Sequence, residues 1–161
     1  MSDIPVPLTI PPDILQEVYA HARESFPAEC CGWLAGPRDG DAVTTVRPCH
    51  NAQSQGIHPT ASMRGAETAY VFSKEDVLAF NQGIDSDEPP RIIYHSHPNG
   101  RSYLSNVDIE NATDPWGEGK MFPVQQLVVG VDEERVVEAK LFDWSDDART
   151  FVEIAHFAGE A

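Results

Sequence analysis

Arg91-Ile-Ile-Tyr-His-Ser-His-Pro-Asn-Gly-Arg-Ser-Tyr-Leu-Ser-Asn-Val-Asp108 reads as a strand, a turn and the start of a helix. Arg91 to Tyr94 is a short apolar strand that runs directly into His95-Ser-His97-Pro98. Asn99-Gly100 then forces a turn, and Ser105 caps a helix through Ala112. On an extended chain residues two apart point to the same face, so His95 and His97 converge on one point at the strand end. Two imidazoles so placed suit zinc. A tetrahedral site that leaves its fourth position to water needs one more protein ligand, and Asp108, on the first turn of the returning helix, is the natural one. Such a set is open and catalytic in type, unlike a closed structural site.

A water held there needs a base, and a glutamate is the usual answer in metal-assisted amide hydrolysis. Glu29 is the best placed. It stands at the edge of the buried run Cys30 to Ala35, where a carboxylate is otherwise out of place. The plainer reading is that Glu29 starts the strand in solvent. Ser105 and Asp108 carry a plainer reading too, because Ser-x-x-Asp is a helix capping pattern in which the hydroxyl serves a backbone amide and the carboxylate complements the helix dipole.

Outward from this centre, Ile4 to Ile10 suits only an edge strand because of its prolines. Pro11, Pro12 and Asp13 open a helix whose core stripe is Ile14, Leu15, Val18, Tyr19 and Ala22. Cys30 to Ala35 and Ala42 to Arg47 pair as a hairpin across Arg38-Asp-Gly40-Asp. Pro48 to Glu67 has no period and reads as a long loop of the functional or mobile kind, followed by a strand over Thr68 to Phe72. Ser73-Lys-Glu-Asp76 resembles a capping box leading into a helix through Val77, Leu78 and Phe80. Gln126 to Val131 is a buried strand, with Val136 to Trp144 as its hairpin partner. Interleaved helices, strands and hairpins predict an α+β (α-β-α) domain on a mixed sheet, a single domain over residues 1–161.

The 161 residues are 41% hydrophobic, enough for a real core, and 11 Lys plus Arg against 26 Asp plus Glu give a net charge of −15. That balance argues against nucleic acid or an anionic membrane as partner, since either needs a basic face. It also suits a salt-adapted host or a basic partner. No apolar run is long enough to span a bilayer, and Met1 to Pro12 lacks a signal peptide's basic and apolar regions, so a soluble cytoplasmic protein is expected. Three cysteines, two of them adjacent, make a poor disulfide framework and fit a reducing compartment. Cys30 and Cys31 lie in an apolar strand where thiols are commonly inert, which disfavours a thiol enzyme, although Cys31 would line a cleft near Glu29. Cys49 reads as structural. His21, His50, His58 and His156 read as ordinary residues, and Trp33, Trp116 and Trp144 as core or cleft wall.

The upstream Glu29, His95-x-His97, seven residues, Ser105, two residues and Asp108 together resemble the signature of the JAMM (MPN+) zinc metalloproteases, with no departure in spacing. Phe26-Pro-Ala-Glu-Cys-Cys-Gly-Trp-Leu-Ala-Gly36 is similar to that family's strand around its catalytic glutamate, and Asn51, Phe142 and Trp144 add to the likeness. The resemblance implies a JAB/MPN domain of cytidine-deaminase-like fold, its mixed sheet partly barrel-like and flanked by helices. It implies that His95, His97 and Asp108 hold one Zn2+ per chain, that Glu29 is the general acid/base, and that Ser105 helps stabilise the oxyanion. The Pro-x-Glu-x-Cys-Gly pattern looks like the bacterial Mec-like branch, whose implied substrate is the bond after the C-terminal Gly-Gly of a ubiquitin-like or sulfur-carrier protein. An extended tail without side chains can lie along a sheet edge into a narrow cleft. A desampylase- or deubiquitinase-like enzyme that de-conjugates proteins is the close alternative. A silent binding or scaffold module of the same fold is the third, though such relatives usually lack a metal ligand and none is missing here. The resemblance leaves a homodimer open.

Overall fold

A computed structural model describes residues 5–51 and 72–160. The first helix, α1, spans Pro12–Ser25, with proline in its first turn and Asp13 at its positive end. It buries Ile14, Val18, Tyr19 and Ala22, with Leu15 partly buried beside them, as the helical spacing predicts. Each large apolar side chain removed from water there is worth about 1.5–3 kcal/mol, so the stripe outweighs the modest propensity of its β-branched members. Strand β1 is Cys31–Ala35, β2 Thr45–Cys49, helix α2 Lys74–Ile84, β3 Pro90–His97, α3 Asn106–Ala112, β4 Gln125–Val131, β5 Val136–Ser145 and β6 Thr150–Ala158.

The six strands form one mixed sheet in the order β2-β1-β3-β4-β5-β6. Every neighbouring pair is antiparallel except β3 and β4. A parallel pair cannot be closed by a tight turn. The chain therefore leaves β3 at His97 and returns to β4 through residues 98–124, and this crossover brings α3 back over the strand end.

Opposed residues share a face of the sheet. One face, with Leu34, Ile92, Tyr94, Leu127, Val129 and Leu141, packs on α1. The other carries Cys31, Trp33 and Ile93 against Phe80 of α2, and Val128, Phe142 and Phe151 against Leu104, Ile109 and Ala112. His95 and His97 stand on this second face by strand alternation.

Three expectations need correction. The second strand begins at Thr45 and keeps Pro48 and Cys49, so the loop expected from Pro48 starts later. Ala42 is diverted into a parallel bridge with Thr9, and the proline tolerated in β2 reflects its place at the sheet edge. Among the described residues, the amino-terminal apolar stretch makes that one bridge and no strand, because its prolines remove ladder donors. Strand β6 carries no clear signal in the sequence, since its half-exposed edge position blurs the alternation of Phe151, Ile154 and Phe157 with their polar neighbours. Most of the predicted loop and of the strand Thr68 to Phe72, with Glu67 and His58, lies outside the described residues; Phe72 itself bridges Asn51.

Candidate metal centre

His95 and His97 end β3, fully and almost fully buried. Their Nε2 atoms face each other at 3.1 Å, and each lies 3.2 Å from Asp108 Oδ2. Asp108 arrives there through the first turn of α3. Ser105 Oγ accepts from Asp108 N at 3.1 Å, and Ser105 N donates to Asp108 Oδ2 at 3.0 Å. The capping reading of Ser105-x-x-Asp108 is thus observed, and the same carboxylate oxygen faces both imidazoles.

Glu29 reaches the site because β1 is registered on β3. Cys31 lies opposite His95, so two residues back along the extended chain Glu29 comes level with His97. Ser96 fixes this alignment from both sides. Its Oγ accepts from Cys30 N at 2.8 Å, and its own N–H donates to Cys30 O at 3.1 Å. Asn51 Nδ2 holds the Glu29 carbonyl at 2.9 Å. Glu29 is 6% exposed, and its carboxylate lies with the ring nitrogens of His95 and His97 in a group whose ligand atoms fall within 4.8 Å of one another. The plain reading of Glu29 as a solvated strand start does not hold.

The electrostatics suit a cation. Burial pushes the His95 imidazole below its ordinary pKa despite Asp108, which keeps it in the neutral form that ligates metals. Burial opposes charge on Asp108 as well, but hydrogen bonds with His95 and His97 prevail and hold the carboxyl well below the usual carboxylate range. A tetrahedral zinc with bonds of about 2.0–2.1 Å sets its ligand atoms about 3.3 Å apart. The observed 3.1–3.2 Å triangle of two imidazole nitrogens and one carboxylate oxygen fits that ion in spacing and in donor chemistry.

Sequence reading missed two residues of this neighbourhood. Ser96 hides in the variable position of His-x-His, although a small polar residue inside an apolar strand is itself a signal. Tyr103, half exposed, stands edge-on to the His97 ring with centroids 4.8 Å apart.

Cys31 lies on the site's face but is fully buried, and burial raises its thiol pKa, so the inert reading stands. His21 instead pairs with Tyr94 Oη at 2.7 Å on the opposite face. His50 donates its backbone N–H to Asp76 Oδ2 at 3.2 Å. His156 faces Glu138. Trp33 is core and Trp144 packs edge-on to Phe151, but Trp116 is 78% exposed, contrary to the expected core or cleft wall, because it sits at the tip of the loop after α3.

Residues 11–142 match the family model for prokaryotic homologs of the JAB domain, a range that contains Glu29, His95, His97, Ser105 and Asp108. A CysO-cysteine peptidase of Mycobacterium tuberculosis is 34% identical over 108 residues, covering 67% of each chain. A desampylase of Haloferax volcanii is 30% identical over 113 residues, 67% of this chain and 74% of the relative. Among solved structures, a protein from Desulfitobacterium hafniense superposes with a TM-score of 0.61 at 26% identity, over 91% of this chain and 88% of the other. One from Salinibacter ruber shares the fold, with a TM-score of 0.59 at 21% identity over 91% and 88% of the two chains.

Proposed function

Because the chain belongs to the family of prokaryotic JAB-domain homologues, we propose that it is a zinc-dependent peptidase. It would hydrolyse the bond after the C-terminal Gly-Gly of a ubiquitin-like or sulfur-carrier protein. The observation that carries this reading is the meeting of His95 Nε2, His97 Nε2 and Asp108 Oδ2 at 3.1–3.2 Å beside a buried glutamate. His95, His97 and Asp108 would hold the metal, one per chain. A zinc ion bound there would supply Lewis acidity, for the scissile carbonyl and for water near neutral pH.

The chain's own residues do the rest. Glu29 takes a proton from the attacking water as the water's oxygen bonds to the carbonyl carbon of the second glycine. It then gives that proton to the leaving amine nitrogen as the C–N bond breaks, so an amine and a carboxylic acid are released, and the acid gives up the water's second proton to solvent. The Ser105 hydroxyl accepts from Asp108 N and keeps its own proton, free to donate to the oxygen on which charge develops. Ser96, through the Cys30 backbone, and Asn51, through the Glu29 carbonyl, keep Glu29 in place.

The substrate class rests on the similarity to the CysO-cysteine peptidase, and a de-conjugating activity on isopeptide bonds is the second reading, supported by the similarity to a desampylase. The three free cysteines suit work in a reducing cytoplasm, and the chain would act as a single catalytic domain. Parallel assays decide between the two substrates: a ubiquitin-fold carrier extended linearly past its Gly-Gly, and the same carrier joined to a lysine side chain. A higher kcat/KM for the linear fusion is expected, and the reverse order would favour the de-conjugating reading. Cleavage of neither would contradict both.

A further inference from the structure

His97, Gly130 and Glu138 stand in one row across β3, β4 and β5. Opposed residues share a face, so of these three only Gly130 leaves the site's face of the sheet bare. A Cβ at Gly130 would lie 2.5 Å from Gly100 O and 2.8 Å from Arg101 N, because the segment that follows β3 crosses the sheet there. Gly100 N donates to Val131 O at 3.1 Å as it passes. On the far side of the row, Glu138 Oε2 accepts from Ser102 Oγ at 2.6 Å and from Ser102 N at 3.3 Å. Ser102 is 1% exposed, so these bonds are made out of water. The other oxygen of Glu138 faces His156 Nε2 at 3.4 Å, in a contact open to solvent.

The gripped segment leads straight into the metal centre. Tyr103 lies against His97, and Ser105 holds Asp108 Oδ2 through its backbone N–H. We propose that Glu138 is a positioning residue of the metal centre: by gripping Ser102 it fixes the segment that sets Asp108 against His95 and His97. A carboxylate suits the task, because charge-assisted bonds from a hydroxyl and an amide are short and directional, and one oxygen serves both. Glu138 touches neither metal nor substrate and acts through Ser102. The inference rests on the zinc reading above but not on the identity of the substrate.

The test measures zinc affinity by chelator competition in the parent, Ser102→Ala, Glu138→Ala, Glu138→Gln and the double variant Ser102→Ala/Glu138→Ala. Amide exchange over residues 99–108 and thermal midpoints of the zinc-free proteins are measured alongside. Loss of a group that orients a metal ligand costs about 10–100-fold in affinity. Each alanine variant should weaken zinc binding by about tenfold or more. The double variant should be no weaker than the worse single one, and Glu138→Gln, which keeps an acceptor for Ser102, should recover part of the loss. Exchange should quicken within residues 99–108 while the midpoint holds. Unchanged affinity in both single variants, additive losses, or a loss that follows the thermal midpoint would overturn the proposal. A parent that binds zinc but cleaves nothing sinks the peptidase reading and leaves this test intact. For a parent that binds no zinc, quicker exchange confined to residues 99–108 in Glu138→Ala sustains the positioning role, and unchanged exchange overturns it.

Discussion

At Glu29 the mechanism needs a carboxylate, because the amide of the same shape cannot take the water's proton. Glu29→Gln keeps the shape and leaves His95, His97 and Asp108 untouched, so zinc should stay near one per chain while turnover falls about 10²–10⁴-fold. Metal analysis beside steady-state rates checks this, and an unchanged rate would move the base elsewhere. His97→Ala should remove zinc and activity together; hydrolysis retained in the zinc-free variant would refute the metal mechanism. Ser105 is harder to read, since its hydroxyl caps α3 and also stands ready to donate. Ser105→Ala should cost about 1 kcal/mol of stability through the lost cap and about 10²–10³ in kcat. Ser105→Gly separates the two roles, because glycine caps within a few tenths of a kcal/mol of serine. It should keep most of the stability and lose the rate. The five residues proposed for the centre, which the fold brings together, stand out in the sequence because they fall in two short patterns of fixed spacing. Glu138 was not, since its partner Ser102 lies 36 residues away and only the sheet register brings them together.

The decisive elements are β1 and β3, whose antiparallel register puts Glu29 level with His97. Gly32 permits that register. A Cβ there would lie 2.5 Å from the Arg47 carbonyl oxygen and 2.6 Å from the Tyr94 ring. Gly32→Ala should destabilise the fold by about 1–3 kcal/mol and lower the zinc-loaded rate by disturbing the β1–β3 alignment. Urea titration checks the first part, and a variant as stable as the parent would show that the strands can part without cost. Helix α1, β3, β4 and the start of α3 were legible from period and caps, because each carries its own local signal. The edge strands β2 and β6 were misplaced or unread for one shared reason. A strand with a single neighbour has both faces partly wet, and its sequence need not alternate cleanly.

For the molecule as a whole, the buried thiols set an alkaline limit. Burial pushes Cys30 and Cys49 up to about 12 and raises Cys31 as well. In the unfolded chain a thiol ionises near about 8.5. Between these limits the unfolded state gives up protons that the native state keeps, so stability falls as pH rises. The stabilising difference is fully present below pH about 8.5 and is lost toward pH about 12, at about 1.4 kcal/mol per pH unit for each thiol. Urea midpoints at fixed ionic strength should be level from pH 7 to 8 and fall above about 9. Cys49→Ala should make that limb shallower, and midpoints level to pH 11 would contradict the account.

The most direct test of the metal-peptidase reading is the zinc content of the purified chain, measured with its cleavage of a ubiquitin-fold carrier extended past Gly-Gly, before and after chelation. The account predicts about one zinc per chain. It also predicts cleavage after the second glycine that a chelator abolishes and added zinc restores. Protein purified without chelator that holds no zinc, or cleavage that survives its complete removal, would contradict it.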